Sequence, residues 1–243
     1  MFNSSKTMMA NVALTGSLIG RGKKIVAIGR NYLDHAKELN NKVPKEPFFF
    51  LKPTSSYTLN GNKIEIPRGI VAHHEIELAV VIGTQGRDVA QADAESIIAG
   101  YALAIDMTAR NLQDEAKKQG LPWSAAKGFD TFTPIGDYFP KARFPAPETL
   151  RLQLRVNGVV KQDGSTADMI FKIPRLIEHI TSIMTLEAGD VVLTGTPAGV
   201  GPVVPGDMIE ARLLNPANKE LVTFLNMAVV ERQGGFEYNK KDN

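Results

Sequence analysis

The sequence predicts a β-rich α+β fold, a roll or sandwich of short strands with a few short helices, in one domain. Three observations predict it. Stretches of alternating or continuous apolar residues outnumber segments with helical spacing. Short turn signals such as Asn60-Gly61, Asn157-Gly158 and Gly189-Asp190 join them. Strands and helices do not alternate as a doubly wound parallel sheet requires. At 243 residues the chain can bury a large core.

Residues 1–22 read as an N-terminal extension, 23–236 as one folded domain and 237–243 as a tail. The first acid is Asp34, after Lys6, Arg21, Lys23 and Lys24, and Ser and Thr are frequent before it. That is the composition of a transit peptide or of a short disordered extension, so the expected compartment is mitochondrial or cytoplasmic. Lys24 to Gly29 reads as the first strand, and Pro44 to Pro53 as an extended segment with Phe48, Phe49 and Phe50. Lys63 to Ile66 follows the Asn60-Gly61 turn as a short strand. Strands are expected around 74–82 and 100–106, separated by a short helical stretch from Ala92 to Ile98. Thr108 to Gln119 reads as a helix stopped by Gly120, with Pro122 beyond. Leu150, Leu152, Leu154 and Val156 alternate into the Asn157-Gly158 hairpin. Ile173 to Met184 has the spacing of an amphipathic helix. Strands at Val191 to Thr194, Met208 to Leu214 and Leu221 to Val230 close the chain.

Composition excludes several function classes. Hydrophobic residues make up 43% and charged residues 22%, ordinary for a globular protein. The net charge of +2, with scattered basic residues, gives no footprint for nucleic acid. There is no Cys, hence no disulfide, thiolate metal site or thiol nucleophile. No apolar run approaches the roughly 18 residues of a membrane helix.

The chemistry concentrates in the run Val71 to Ile82, where Glu75 and Glu77 share one parity of an alternating strand. Two carboxylates in phase, about 7 Å apart, repel by roughly 2 kcal/mol at an effective dielectric near 20. Taken alone they fit a solvated strand face equally well. Asp106 tips the balance, because it ends an almost charge-free run from Ile97 to Ile105. Three oxygen donors without sulfur point to a hard divalent ion, Mg²⁺ or Mn²⁺. His35 and Glu38 fall at i and i+3 of a helical stretch, where a carboxylate orients an imidazole as a general base. An incidental surface pair is the alternative. Lys127, a single cation among small and aromatic residues, suits a carboxylate or a developing enolate, or else snorkels at the surface. The glycine-rich run Leu193 to Gly201 lacks the ending of a P-loop but brings backbone N–H groups and the Thr196 hydroxyl toward an anion. His73, His74 and His179 read as structural, with at most one of the first two able to serve the site.

Seven motifs in order resemble the fumarylacetoacetate hydrolase family. They are Gly29-Arg30-Asn31-Tyr32, Phe50-Leu51-Lys52-Pro53, His74-Glu75-Ile76-Glu77-Leu78, Asp106 through Gln113, Gly120-Leu121-Pro122-Trp123, Lys127-Gly128-Phe129 and Leu193-Thr194-Gly195-Thr196-Pro197. The resemblance spans Ile25 to Val230. It is nearest the short eukaryotic acylpyruvase and oxaloacetate decarboxylase type, with an oxaloacetate tautomerase branch almost as near. It implies a mixed β-sandwich roll of the family's C-terminal-domain type, a homodimer, and one Mg²⁺ or Mn²⁺ per subunit on Glu75, Glu77 and Asp106. It also implies His35 and Glu38 as a catalytic dyad, Lys127 as a catalytic cation, and Arg30, Gln113 and Thr196 as substrate contacts. Lys52 falls on a family motif without a firm role.

The expected substrate is therefore a small 2-oxo acid. Acylpyruvate hydrolysis and oxaloacetate decarboxylation come first, since the His35–Glu38 pair suits activation of water. Oxaloacetate keto–enol tautomerisation is the alternative on the same residues. A non-catalytic metal- or ligand-binding protein is the alternative of another class, and an intact triad beside an intact dyad argues against it.

Overall fold

Alternation of apolar residues decides which segments become strands and which face each one buries. The computed structural model describes residues 21–33, 38, 44–217 and 220–239. Its strands are β1 (Ile25–Gly29), β2 (Phe48–Lys52), β3 (Tyr57–Leu59), β4 (Lys63–Ile66), β5 (Ala72–His74), β6 (Ile76–Ile82), β7 (Ile98–Ile105) and β8 (Thr108–Ala109). They continue as β9 (Thr133–Ile135), β10 (Phe139–Pro140), β11 (Arg151–Val156), β12 (Val159–Ser165), β13 (Val191–Leu193), β14 (Gly201–Val203), β15 (Met208–Asn215) and β16 (Glu220–Glu231). The helices that lie wholly within the described residues are α1 (Ala94–Ile97), α2 (Arg110–Gln119), α3 (Ser124–Lys127) and α4 (Ile173–Thr181).

An eight-stranded sheet runs β2-β1-β13-β6-β7-β9-β3, with β10 beside β7. A five-stranded sheet runs β12-β11-β15-β16-β4, and a three-stranded one β14-β5-β8. Both larger sheets are mixed, with β1–β13, β3–β9 and β4–β16 parallel. They pack face to face through one apolar cluster, to which Val26, Leu78, Val80 and Leu103 contribute from one side and Leu152, Leu154, Ile209 and Leu225 from the other. Leu176, Ile177 and Ile180 of α4 join that cluster. Each fully buried side chain of this kind contributes about 1.5–3 kcal/mol.

The opposite parity of the central strands, Ile25, Ala27, Ala79, Val81, Ala102 and Ala104, forms a second cluster on the other face. The large sheet curls on that side. Its edge strands β2 and β3 are joined through the single turn Thr54–Ser56. Lys52, at the end of β2, reaches across to the Phe132 carbonyl just before β9, at 2.8 Å. Alanines keep the concave side free of bulk, and the charged residues collect at its mouth.

Three elements depart from the sequence expectation. The run 71–82 divides at Glu75: β5 belongs to the three-stranded sheet and β6 to the large one. Thr108 and Ala109 pair with β5 rather than opening the helix, which starts at Arg110 and stops at Gly120 in the left-handed conformation. α4 ends at Thr181 rather than Met184, and Ile183 beyond it is exposed. The Asn157-Gly158 turn has both φ angles positive, 51° and 78°, as a type I′ hairpin requires. No described helix is long and apolar enough to cross a membrane.

Candidate active site

β6 and β7 run antiparallel with Ile76 opposite Ile105 and Glu77 opposite Ala104. One step further, the Asp106 N–H donates to the Glu75 carbonyl at 2.8 Å. The pleat therefore turns Glu75, Glu77 and Asp106 to one face, the concave, alanine-lined one. One carboxylate oxygen from each lies within 4.8 Å of the others. Their exposures are 8%, 1% and 1%. These values rule out a solvated strand face. β6 is buried on both sides, so the expected half-exposed strand is corrected: the curl of the sheet covers the polar parity as well.

Among the described residues, three cations pair with the carboxylates of this cluster. Lys127, at the end of α3, is buried and donates to Glu75 Oε2 at 3.0 Å and Asp106 Oδ2 at 2.5 Å. Its ammonium also stands 4.9 Å from the centre of the Phe50 ring. Lys52, equally buried, donates to Asp106 Oδ1 and to the Phe132 carbonyl. Arg110 opens α2 and donates to Glu75 Oε1 at 2.6 Å and to Gln113 Oε1 at 2.5 Å. The two lysines respond oppositely to their sites. Burial lowers the affinity of both for a proton. For Lys127 the charges of Asp106 and Glu75 outweigh burial and hold the ammonium above its usual range. For Lys52 burial wins and its pKa is lowered, with Lys127 adding repulsion. Glu77 has no ion pair among the described residues, and its Oε2 accepts the Gly195 N–H at 2.6 Å. Burial, then Asp106 and Glu75, raise its pKa well above the carboxylate range.

The donor set fits a hard divalent cation. All three donors are carboxylate oxygens, and octahedral oxygens around Mg²⁺ stand about 3–4 Å apart. Glu77 in particular is a buried carboxylate with no ion pair of its own among the described residues.

The mouth of the cluster is a cleft lined by Arg30, Glu75, Glu77, Gln113, Lys127 and Thr196, together with Arg110, Phe48, Phe50 and Trp123. Most sequence-predicted site residues are thus brought together, with Asp106 beneath them. Arg30 holds a left-handed backbone, φ 57°, and its guanidinium lies 5.6 Å from the Phe48 ring centre. A non-glycine residue in that region marks local strain held by its surroundings. The next residue supplies them: buried Asn31 donates to the Phe171 and Thr194 carbonyls and accepts the Phe171 N–H. Gly195 packs on Asn31 so closely, with φ 95°, that a Cβ would lie 2.8 Å from the Asn31 Cβ. Glu38 accepts the Gly199 N–H on both oxygens, at 3.2 and 3.1 Å. His35 lies outside the described residues.

Sequence reasoning missed Arg110 and left Lys52 without a role. Arg110 stands three residues before Gln113 on one helix face, a spacing that could have flagged it. Neither His73 nor His74 lines the cleft, and each bonds a residue that does not itself belong to the carboxylate cluster. Arg110 Nε stands 3.4 Å from His73 Nδ1, and His74 Nδ1 pairs with Gln162 Oε1 at 2.9 Å. Burial and then Arg110 push His73 down to about 4. His179 packs edge-on against Phe49, far from this chemistry in role.

The chain matches the family model "Fumarylacetoacetate (FAA) hydrolase C-terminal" over residues 24–229. It is 60% identical over 192 residues to the mitochondrial oxaloacetate tautomerase FAHD1 of Arabidopsis thaliana, covering 79% of this chain and 86% of the relative. It is 54% identical to a mitochondrial oxaloacetate decarboxylase of Dictyostelium discoideum, covering 78% and 88%. Among solved structures, the yeast fumarylacetoacetate hydrolase family protein ynq8 superposes with a TM-score of 0.82 at 39% identity, covering 92% of this chain and 99% of that one. The fumarylpyruvate hydrolase of Pseudomonas aeruginosa, solved with Mn²⁺ and pyruvate, superposes with 0.79 at 32% identity, covering 87% and 91%. By the extent of the family match, and by relatives more than half identical over most of their length, this chain belongs to the fumarylacetoacetate hydrolase family.

Proposed function

We propose that this chain is a mitochondrial, Mg²⁺- or Mn²⁺-dependent enzyme that converts small 2-oxo acids by way of their enolates, with oxaloacetate as its main substrate. The observation that carries the reading is the buried triad of Glu75, Glu77 and Asp106 under Lys127, at the floor of a cleft edged by Arg30 and Arg110. The curated relatives named for oxaloacetate support the choice of substrate. Residues 23–236 are taken as the catalytic unit, and a homodimer is proposed on the family resemblance.

Glu75, Glu77 and Asp106 would hold the metal, which when bound supplies a Lewis acid for the 2-oxo group. Arg30 and Arg110 offer guanidinium groups to a substrate carboxylate. Gln113, held by Arg110, and Thr196 complete the walls. Lys127 directs its ammonium at the negative charge that develops on the keto oxygen. In keto–enol exchange a base takes a C3 proton, the C–H electrons become the C2–C3 double bond, and the keto oxygen takes up a proton. In decarboxylation the C3–C4 electrons follow the same path and CO₂ leaves. One set of residues therefore serves both reactions.

A second reading, acylpyruvate hydrolysis, draws on Glu38 and on the likeness to the fumarylpyruvate hydrolase. There His35, oriented by Glu38, takes a proton from water, and the oxygen adds to the distal carbonyl. The C–C bond then breaks to a carboxylic acid and the enolate of pyruvate, which is protonated.

The test is a product assay by NMR on oxaloacetate and acetylpyruvate, with Mg²⁺ and with excess EDTA, against protein-free controls. Metal-dependent exchange of oxaloacetate tautomers, or pyruvate from oxaloacetate above background, is expected. Acetate and pyruvate from acetylpyruvate would add the hydrolase. No change in any substrate would overturn the proposed reactions.

A further inference from the structure

Gln162 lies on β12, in the five-stranded sheet that carries none of the carboxylates, and it is fully buried. Every hydrogen-bonding position on its amide is engaged. Oε1 accepts the Ile76 N–H at 3.0 Å and stands 2.9 Å from His74 Nδ1, while Nε2 donates to Thr196 Oγ1 and to the Pro197 carbonyl, both at 2.8 Å. An N–H can only donate and a carbonyl can only accept, so Ile76 and Pro197 together fix which way the amide points. Thr196 Oγ1 lies 2.7 Å from the Ile76 carbonyl, which takes the hydroxyl proton. The Thr196 side chain is thereby held from two directions at the wall of the cleft. The adjoining Gly195 N–H closes on Glu77 Oε2 at 2.6 Å. One amide from the second sheet thus ties the Thr194–Pro197 turn to the start of β6, between the triad residues Glu75 and Glu77.

We propose that Gln162 is a positioning residue, which sets the ligand-facing geometry of Thr196 and of the turn that carries it. The inference rests on the reading of Thr196 as a ligand contact in the proposed site. It differs from a simple packing role in what it couples: loss of Gln162 acts on ligand binding through Thr196.

The test uses the full chain as wild type, Gln162→Met, Thr196→Val and the double variant. Calorimetry measures Mn²⁺ binding first and then pyruvate binding to the Mn²⁺-loaded protein. Gln162→Met and Thr196→Val are each expected to weaken pyruvate by about tenfold, a size seen for groups that orient ligand-contacting residues. The double variant is expected to stay within about twofold of Thr196→Val, because the two losses share one path. Pyruvate affinity unchanged in Gln162→Met, or losses that multiply in the double variant, would overturn the proposal. Should Gln162→Met fail to fold, Gln162→Glu keeps an acceptor for Ile76 and His74 and puts a carboxylate oxygen in place of the donor to Thr196 and Pro197. Unaltered pyruvate binding in that variant is equally fatal. If wild type takes up no Mn²⁺, the metal reading falls instead. Amide exchange of Gly195 in the metal-free protein then decides: about tenfold faster exchange in the Gln162 variants is expected, and unchanged exchange overturns the role.

Discussion

The floor and the rim of the cleft are built on different principles. On the floor, Glu75, Glu77, Asp106, Lys52 and Lys127 are all buried, and the lysines and Asp106 each meet more than one partner of opposite polarity. On the rim, Arg30 is half-buried on a strained backbone against one ring, and exposed Glu38 is bonded to the Gly199 backbone. Charges in the floor are part of the folding core, where removing one partner strands another. Charges on the rim are screened and adjustable. Substitutions in the floor should therefore change stability and metal binding together, and substitutions on the rim should change chemistry alone.

The largest expected effect comes from Asp106→Asn. Asp106 is a triad member and the shared partner of both buried lysines. Mn²⁺ affinity should fall by more than about 100-fold, beyond the loss typical of groups that only support a ligand. The metal-free protein should lose about 3–5 kcal/mol, because two ammonium groups are left short of an anion. Calorimetry and denaturant unfolding check the two halves. Near-wild-type metal binding would remove Asp106 from the ligand set.

The lysines sharpen the contrast within the floor. Lys127 lines the cleft, while Lys52 lies behind Asp106. Lys127→Met should cost about 10²–10³ in kcat, the range for losing one preorganised charge-stabilising donor. Lys52→Met should act mainly on stability, by about 3 kcal/mol, because Asp106 keeps Lys127 but loses half its compensation. Equal kcat losses in the two variants would dissolve the distinction.

What could be read in the sequence follows the same division. Asp106 stood out because a charge-free strand makes a terminal acid conspicuous. Glu75 and Glu77 stood out through parity, although parity could not tell a solvated face from the inside of a curled sheet. Curling depends on edge strands distant in sequence, β2 and β3, and on alanines that carry no signal in a single strand. The strand order, the split at Glu75 and the pairing of Thr108 and Ala109 with β5 are likewise long-range outcomes. Lys52 and Arg110 were hidden for a related reason: their partners, Asp106 and Glu75, are 54 and 35 residues away. Motif resemblance supplied Arg30 and Gln113, the glycine-rich run had already pointed to Thr196, and Gln162 belonged to no motif.

A pH experiment separates the metal-free floor from the loaded one. Glu77 has its folded pKa raised, whereas the unfolded chain titrates near about 4.3. The folded state binds this proton more tightly, so its contribution is complete below the unfolded pKa and is lost as pH rises through the folded one. EDTA-treated wild type should lose stability as pH climbs above about 4.3, by at most about 1.4 kcal/mol per pH unit from this group. Glu77→Gln should flatten that loss while abolishing the response to Mn²⁺. A slope unchanged by the substitution would mean that Glu77 does not carry the misfit charge.

The smallest expected change in stability belongs to the rim. Glu38→Gln keeps an oxygen for the Gly199 N–H, so unfolding free energy should stay within about 0.5 kcal/mol of wild type. Mn²⁺ affinity should not move, since Glu38 is not among the clustered carboxylates. The negative charge that would orient His35 is nevertheless gone, and acetylpyruvate hydrolysis should fall by about 10²-fold if the pair acts as a general base. Oxaloacetate decarboxylation, which activates no water, should fall less. That unequal loss is the decisive reading, because a disturbed rim would lower both activities alike, whereas a missing base lowers the reaction that consumes water.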